Sequence, residues 1–208
     1  MFKPLPRAFY DRSAQSVAPL LLGKWLVRNT PQGWCGGPIV ETEAYLENDP
    51  ACHSFGGRTA RNQTMWGPPG HAYVYLIYGY HFCVNAVCSP QGKAEAVLIR
   101  ALEPALGEDW MRKLRKVSHL KNLTSGPARL CQALGIDRSL DGVDLCDSES
   151  SLFIAENLLE MGGNKAIAAT AEIVTTTRIG ISKAADLPLR FYLDQSFFVS
   201  KRRPRPKP

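Results

Sequence analysis

Short segments in which apolar residues alternate with polar ones recur along the chain, and the clearest runs from Tyr73 to Asn85 around Gly79. Two apolar segments that flank a glycine predict a β-hairpin. Its first strand should end before Tyr78 and its second should begin after Tyr80, so that these two rings straddle the apex. Either the hairpin is buried and the rings pack, or they are presented to another molecule. Composition alone favours the buried hairpin by about two to one.

The same pattern predicts six further strands and three helices. The strands are expected at residues 24–28, 38–46, 94–102, 152–154, 166–178 and 189–193. The helices are expected at residues 13–22, 106–116 and 124–135, with Ser13 and Ser125 as N-caps. In the first helix, Val17, Leu20 and Leu21 should face inward. Strands cluster without alternating with helices, which predicts an α+β fold: a single compact domain with a curved, largely antiparallel sheet, flanking helices and a protruding β-hairpin.

The strand at residues 38–46 carries an unusual set of side chains on one face. Period two places Glu41, Glu43 and Tyr45 beside Ile39 on that face. Two carboxylates and a phenol do not suit a hydrophobic core, so this face either looks at water or lines a cleft. Arg100 lies at the centre of the apolar strand 94–102 and requires a carboxylate or phosphate partner.

Length and composition predict one domain over residues 1–200 and a disordered basic tail over 201–208. The formal net charge is +6, and the tail alone carries five positive side chains, which would attract nucleic acid phosphates. Neither a signal peptide nor an apolar run of about 18 residues is present, so we expect no membrane contact and an intracellular location. This would be the cytoplasm or nucleoid of a bacterium, or the nucleus of a eukaryote.

Several kinds of chemistry are not indicated by the sequence. The six cysteines lack C-x-x-C spacing and are expected to be reduced thiols, with no metal and no cofactor. Nucleotide-binding glycine loops and a Gly-x-Ser-x-Gly motif are absent. Glu43 remains, next to Tyr45 and followed by His53 in the long irregular loop at residues 47–72, a loop length that is commonly functional. A carboxylate that activates water between flat aromatic surfaces suits hydrolysis of a substrate with a planar group.

From roughly Phe9 to Ser200 the chain resembles the alkyladenine (3-methyladenine) DNA glycosylases, monofunctional base-excision enzymes typified by the vertebrate protein. The resemblance rests on motifs in one order at residues 39–46, 53–57, 73–79, 82–85, 100–104, 125–134 and 188–192. It implies excision of alkylated or deaminated purines from double-stranded DNA, which leaves an abasic site. It also implies minor-groove contact, a monomer, no cofactor and no lyase activity.

The resemblance further implies a role for each matched residue. Glu43 would be the general base that deprotonates water, and Arg100 would help to hold that water and the carboxylate. Tyr45 and Tyr75 would be the two rings between which the base stacks, with His53 on the far side of the pocket. Asn85 would crowd the amino group of guanine, and Tyr78 would enter the duplex. Tyr80 would accompany Tyr78 at the hairpin tip.

Two other functions stay open from the residues alone: a nucleic-acid-binding module without chemistry, and a hydrolase of free nucleosides. The first would not need Glu43, and the second would not need aromatic rings at a hairpin tip. Vertebrate members have Met-Tyr after the hairpin glycine where this chain has Tyr80-His81.

Overall fold

The β-strands form one curved antiparallel sheet in which β2 is the central strand. The computed structural model describes residues 2–156 and 171–202. Within them the strands are β1 (Trp25–Thr30), β2 (Gly33–Tyr45), β3 (Ala72–Ile77), β4 (His81–Cys88), β5 (Glu95–Leu102), β6 (Leu152–Ala155), β7 (Ile173–Thr176) and β8 (Arg190–Leu193). The order is β3-β4-β5-β2-β1-β6, while β8 pairs with both β2 and β7. The predicted α+β fold with a curved antiparallel sheet is confirmed.

β2 is long enough to pair with three other strands. Its first half pairs with β1 as far as Pro38, and its second half pairs with β8 from Glu41 to Glu43. The other edge of β2 pairs with β5, and the register shifts between Ile39 and Thr42. Such a shift is a local irregularity of the bulge type, which bends a strand and re-aims its side chains. It lies at Glu41, one of the two carboxylates that the sequence pattern singled out.

Among the described residues, four helices cover the sheet: α1 (Arg7–Tyr10), α2 (Ala14–Leu20), α3 (Glu108–Arg115) and α4 (Pro127–Leu134). The predicted cap Ser13 is confirmed, because its side chain accepts a hydrogen bond from the Ser16 N–H. The prediction for Ser125 is wrong: Gly126 occupies the N-cap position, and the Ser125 hydroxyl instead accepts from Arg129. Leu20 does not face inward either, since it ends α2 and is 43% exposed.

The predicted hairpin is confirmed as β3 and β4, joined by a turn at Tyr78 and Gly79. Both turn residues have positive φ, 54° and 80° respectively. Tight hairpin turns of this kind match the twist of the two strands, but a residue with a Cβ is strained in this conformation. Tyr78 therefore adopts a backbone conformation that glycine or asparagine would adopt with less strain.

All six cysteines are free thiols, and five of them are buried. Burial raises the pKa of Cys35 and of Cys146 to about 12. Burial also raises the pKa of the four remaining thiols, which are Cys52, Cys83, Cys88 and Cys131. That the cysteines are reduced stays a prediction.

Two segments predicted from the sequence lie partly outside the described residues. The strand expected at residues 166–178 begins outside the described residues, and its described part forms the short strand β7. Residues 203–208 of the basic tail also lie outside them. A single domain over residues 1–200 remains a prediction. In the described ranges, no helix is long and apolar enough to cross a membrane.

Candidate functional site: a buried carboxylate behind an aromatic cleft

A cleft of about 350 Å³ opens between the β3–β4 hairpin, β5, the loop after β2, the start of α4 and the segment after β7. Six of the eight predicted site residues line it: Tyr45, His53, Tyr75, Tyr78, Asn85 and Arg100. Glu43 lies directly behind two of them, and Tyr80 projects from the hairpin tip outside the cleft. The carboxylate-bearing face of β2 thus faces the cleft rather than open water.

Glu43 is fully buried and accepts hydrogen bonds from three directions. Its Oε2 accepts from the Tyr45 hydroxyl at 2.9 Å and from Arg100 Nη1 at 3.2 Å. Its Oε1 accepts from the Ile179 backbone N–H at 2.8 Å. An ionised carboxylate only accepts hydrogen bonds, and all three neighbours donate. The site is therefore built to hold Glu43 as an anion at the wall of the cleft.

Arg100 connects Glu43 to a second buried carboxylate, Glu41. Its Nε donates to Glu41 Oε1 at 3.2 Å, and the same oxygen accepts from Arg190 Nη1 at 2.8 Å. Burial acts to lower the pKa of Arg100, but the charges of Glu43 and Glu41 outweigh it and leave that pKa raised. The expectation that Arg100 needs a carboxylate partner is met twice. Two arginines and two carboxylates compensate one another, as buried charges require.

Tyr45 is held between Glu43 and a buried ion pair of Arg178 with Asp49. The Arg178 guanidinium carbon lies 4.7 Å from the centre of the Tyr45 ring, and Arg178 Nη1 also donates to the Ala44 carbonyl at 3.0 Å. Burial, followed by the charge of Glu43, raises the pKa of Tyr45 above its usual value. Tyr45 therefore stays a neutral phenol that can donate to Glu43.

His53 and two tyrosines form another part of the cleft lining. His53 Nδ1 and the Tyr73 hydroxyl are 2.9 Å apart, and the His53 and Tyr75 ring centres are 4.4 Å apart with their planes at 75°. Burial, and then the charge of Arg61, lowers the pKa of His53. Asn85 is fixed beside them because its Nδ2 donates to the Tyr73 carbonyl at 3.0 Å. The predicted pocket residues thus meet around one space.

The hairpin tip is directed outward. Tyr78 and Tyr80 are 74% and 72% exposed, and Leu76 beneath them is also exposed. The ring centres of Tyr80 and His81 are 4.3 Å apart. The sequence composition favoured a buried hairpin, and at the apex this interpretation is wrong. Farther down, Val74 is completely buried, so the strands themselves belong to the core.

Four features of the site were missed by sequence reasoning. They are Tyr73 as the partner of His53, Arg178 against Tyr45, the Ile179 N–H on Glu43, and Ser200 on Glu41. An arginine at the end of the predicted strand 166–178 was a usable signal for Arg178. A backbone donor such as Ile179 leaves no trace in side-chain patterns.

Comparison with known proteins supplies the identity of this arrangement. The model of the methylpurine-DNA glycosylase family matches residues 8–197. The chain belongs to this family. Among similar curated proteins, those named "Putative 3-methyladenine DNA glycosylase" from Carboxydothermus hydrogenoformans and Methanoculleus marisnigri are each 50% identical over 198 residues. In each case the match covers 95% of this chain and 99% of the relative. A protein of that name from Rhodopseudomonas palustris is 50% identical over 201 residues, which are 97% of this chain and 90% of the relative.

Membership makes this glycosylase a base-excision repair enzyme that hydrolyses N-glycosyl bonds in DNA. The predicted family and enzyme class are confirmed. The two alternatives, a module without chemistry and a hydrolase of free nucleosides, are not supported. The described residues contain no group of three or more His, Cys, Asp or Glu side chains that could hold a metal ion.

Proposed function

We propose that this glycosylase flips an alkylated or deaminated purine from duplex DNA into the aromatic cleft and hydrolyses its glycosidic bond with a water activated by Glu43. The observation that carries this proposal is the complete burial of Glu43 with three donors, all of which belong to residues that line the cleft: Tyr45, Arg100 and Ile179. A fixed carboxylate at this place can take a proton from water and stabilise positive charge on the sugar.

The cleft supplies flat surfaces, since Tyr45, Tyr75 and His53 all contribute to its lining. The base would stack between Tyr45 and Tyr75, with His53 on the opposite side of the pocket. Stacking of a base on aromatic rings contributes roughly 1–3 kcal/mol and tolerates different ring structures. A cationic base such as 3-methyladenine gains further from the electron-rich ring faces. Asn85 lies in the same lining, where it would crowd the amino group of guanine.

The exposed hairpin tip is proposed to act as the wedge. Flipping a base costs about a few kcal/mol of unstacking, and an apolar side chain inserted from the minor groove fills the gap. Tyr78 stands at the edge of the cleft and Tyr80 beside it, so that one ring could replace the extruded base while the other supports it.

The remaining parts of the proposal concern the product and the state of the enzyme. No lysine is among the described residues that line the cleft, so a Schiff base with the sugar is not expected and the abasic site should stay uncleaved. We propose that the enzyme acts as a monomer in the cytoplasm or nucleoid, in keeping with its bacterial and archaeal relatives. A nuclear location has no support from these relatives.

Replacement of Glu43 by Gln tests the central step. Glu43→Gln keeps the size of the side chain but removes the base, so we expect no detectable release of 3-methyladenine from methylated duplex DNA, with binding retained. The matched control is Glu108→Gln, because Glu108 pairs with Arg112 on the surface of α3. An active Glu43→Gln enzyme would refute the proposed mechanism, as would an equal loss of activity in the control.

A further inference from the structure

We infer that Ser200 and Glu41 are positioning residues that fix the direction of the Arg100 guanidinium toward Glu43. This inference rests on the proposed roles of Glu43 and Arg100. Neither Ser200 nor Glu41 lines the cleft, so they would act through Arg100 rather than on the substrate.

The first argument is that each nitrogen of the Arg100 guanidinium has its own partner. Nη1 donates to Glu43 Oε2 at 3.2 Å, Nε to Glu41 Oε1 at 3.2 Å, and Nη2 to Ser200 Oγ at 3.5 Å. A planar guanidinium held at two nitrogens can point the third in only one direction. Glu41 and Ser200 are those two restraints, and Glu43 receives the third nitrogen.

The second argument is that Ser200 also fixes Glu41. Its backbone N–H donates to Glu41 Oε2 at 2.7 Å, and its hydroxyl donates to Glu41 Oε1 at 2.9 Å. The same hydroxyl oxygen accepts from Arg100, so Ser200 closes a ring of hydrogen bonds with Arg100 and Glu41. Glu41 is fully buried, and a buried carboxylate with several charge-assisted donors has a single favourable orientation.

The third argument is that the chain is anchored on both sides of Ser200. Phe198 belongs to the main core and Val199 is buried next to it. Beyond Ser200, the Lys201 carbonyl accepts from Arg190 Nη1 at 2.8 Å, and Arg202 Nη2 donates to the Ser196 carbonyl at 2.7 Å. Since Arg190 also binds Glu41, the segment and the carboxylate are fixed to the same side chain of β8. Residues 198–202 are thereby fixed next to Glu41.

The first test compares single-turnover rate constants on methylated duplex DNA with the enzyme in excess. Ser200→Ala removes the hydroxyl and should slow base release by about 10- to 100-fold, the range expected when a catalytic group is slightly misplaced. DNA affinity and the amplitude of the reaction should stay unchanged. Ser200→Thr keeps the hydroxyl and should restore the rate to within about threefold. Ser148→Ala is the matched control, because Ser148 is exposed and does not line the cleft.

A structural defect and a positioning defect differ in what they change. Loss of folded enzyme lowers the amplitude and the thermal midpoint, whereas misplacement of Arg100 lowers the rate constant of the folded enzyme. A wild-type rate constant in Ser200→Ala would overturn the inference, and so would a Ser200→Thr enzyme as slow as Ser200→Ala. If Glu43→Gln is inactive in the same assay, such a result overturns the positioning role alone and leaves the proposed function standing.

A second variant tests the other restraint independently. Glu41→Gln keeps the size of the side chain but removes the charge that holds Arg100 Nε and Arg190 Nη1. The single-turnover rate constant should fall while the DNA affinity stays unchanged. A wild-type rate constant in Glu41→Gln would overturn the role of Glu41.

Discussion

Replacement of Tyr78 should weaken DNA binding and leave the stability of the folded protein almost unchanged. The ring is 74% exposed, so its loss removes little buried surface, and Tyr78 has a positive φ that asparagine tolerates better. We therefore expect Tyr78→Asn to change the free energy of unfolding by no more than about 0.5 kcal/mol. If the ring stacks in the duplex, its loss should cost roughly 1–3 kcal/mol of binding, which weakens the affinity for damaged DNA about 5- to 150-fold.

The assay is fluorescence anisotropy with a duplex that carries one lesion and a matched undamaged duplex, in a Glu43→Gln background that prevents turnover. Thermal denaturation of the same proteins measures stability. Trp34→Ser is the reciprocal control: Trp34 is 43% exposed, at the far end of β2, and contacts Phe2 and Phe153 with ring centres 5.5 and 5.8 Å away. That variant should lose stability and keep its DNA affinity. Unchanged affinity of Tyr78→Asn for the damaged duplex would refute the wedge.

Two further predictions concern the carboxylate and the tail. Tyr45→Phe removes a donor that orients Glu43, so the single-turnover rate constant should fall; an unchanged rate constant would show that the hydrogen bond at 2.9 Å has no influence on the base. Removal of residues 203–208 keeps the anchored residues Lys201 and Arg202 and deletes three positive charges. The plot of log affinity against log salt should flatten by roughly 0.9 for each DNA phosphate that the tail neutralises, and an unaltered slope would show that the tail does not touch DNA.

The sequence pattern predicted the parts of the fold that depend on neighbours along the chain. Alternation in Tyr73–Asn85 located both hairpin strands, and period two placed Glu41, Glu43 and Tyr45 on one face of β2. The errors fall at the ends of elements. The apolar period predicts that Leu20 faces inward. Leu20 is exposed instead, because α2 ends at this residue.

The partners of the site could not be predicted in this way because they come from distant parts of the chain. Ile179 is 136 residues from Glu43, and Ser200 is 159 residues from Glu41. These contacts are made by backbone N–H groups and by the Ser200 hydroxyl. The spacing of apolar residues along a sequence does not indicate donors of either kind. The antiparallel pairing of β8 with β2 brings them there, and that pairing is a property of the folded sheet rather than of any segment.

The placement of the cysteines bears on how this enzyme withstands the conditions in which it works. Methylating agents that damage purines also attack sulfur, and the thiolate is the reactive form. Burial raises the pKa of Cys35 and of Cys146 to about 12 and acts in the same direction on the other four thiols, so few thiolates form at neutral pH. The thiols of this protein are therefore poor targets for the reagents whose products it removes.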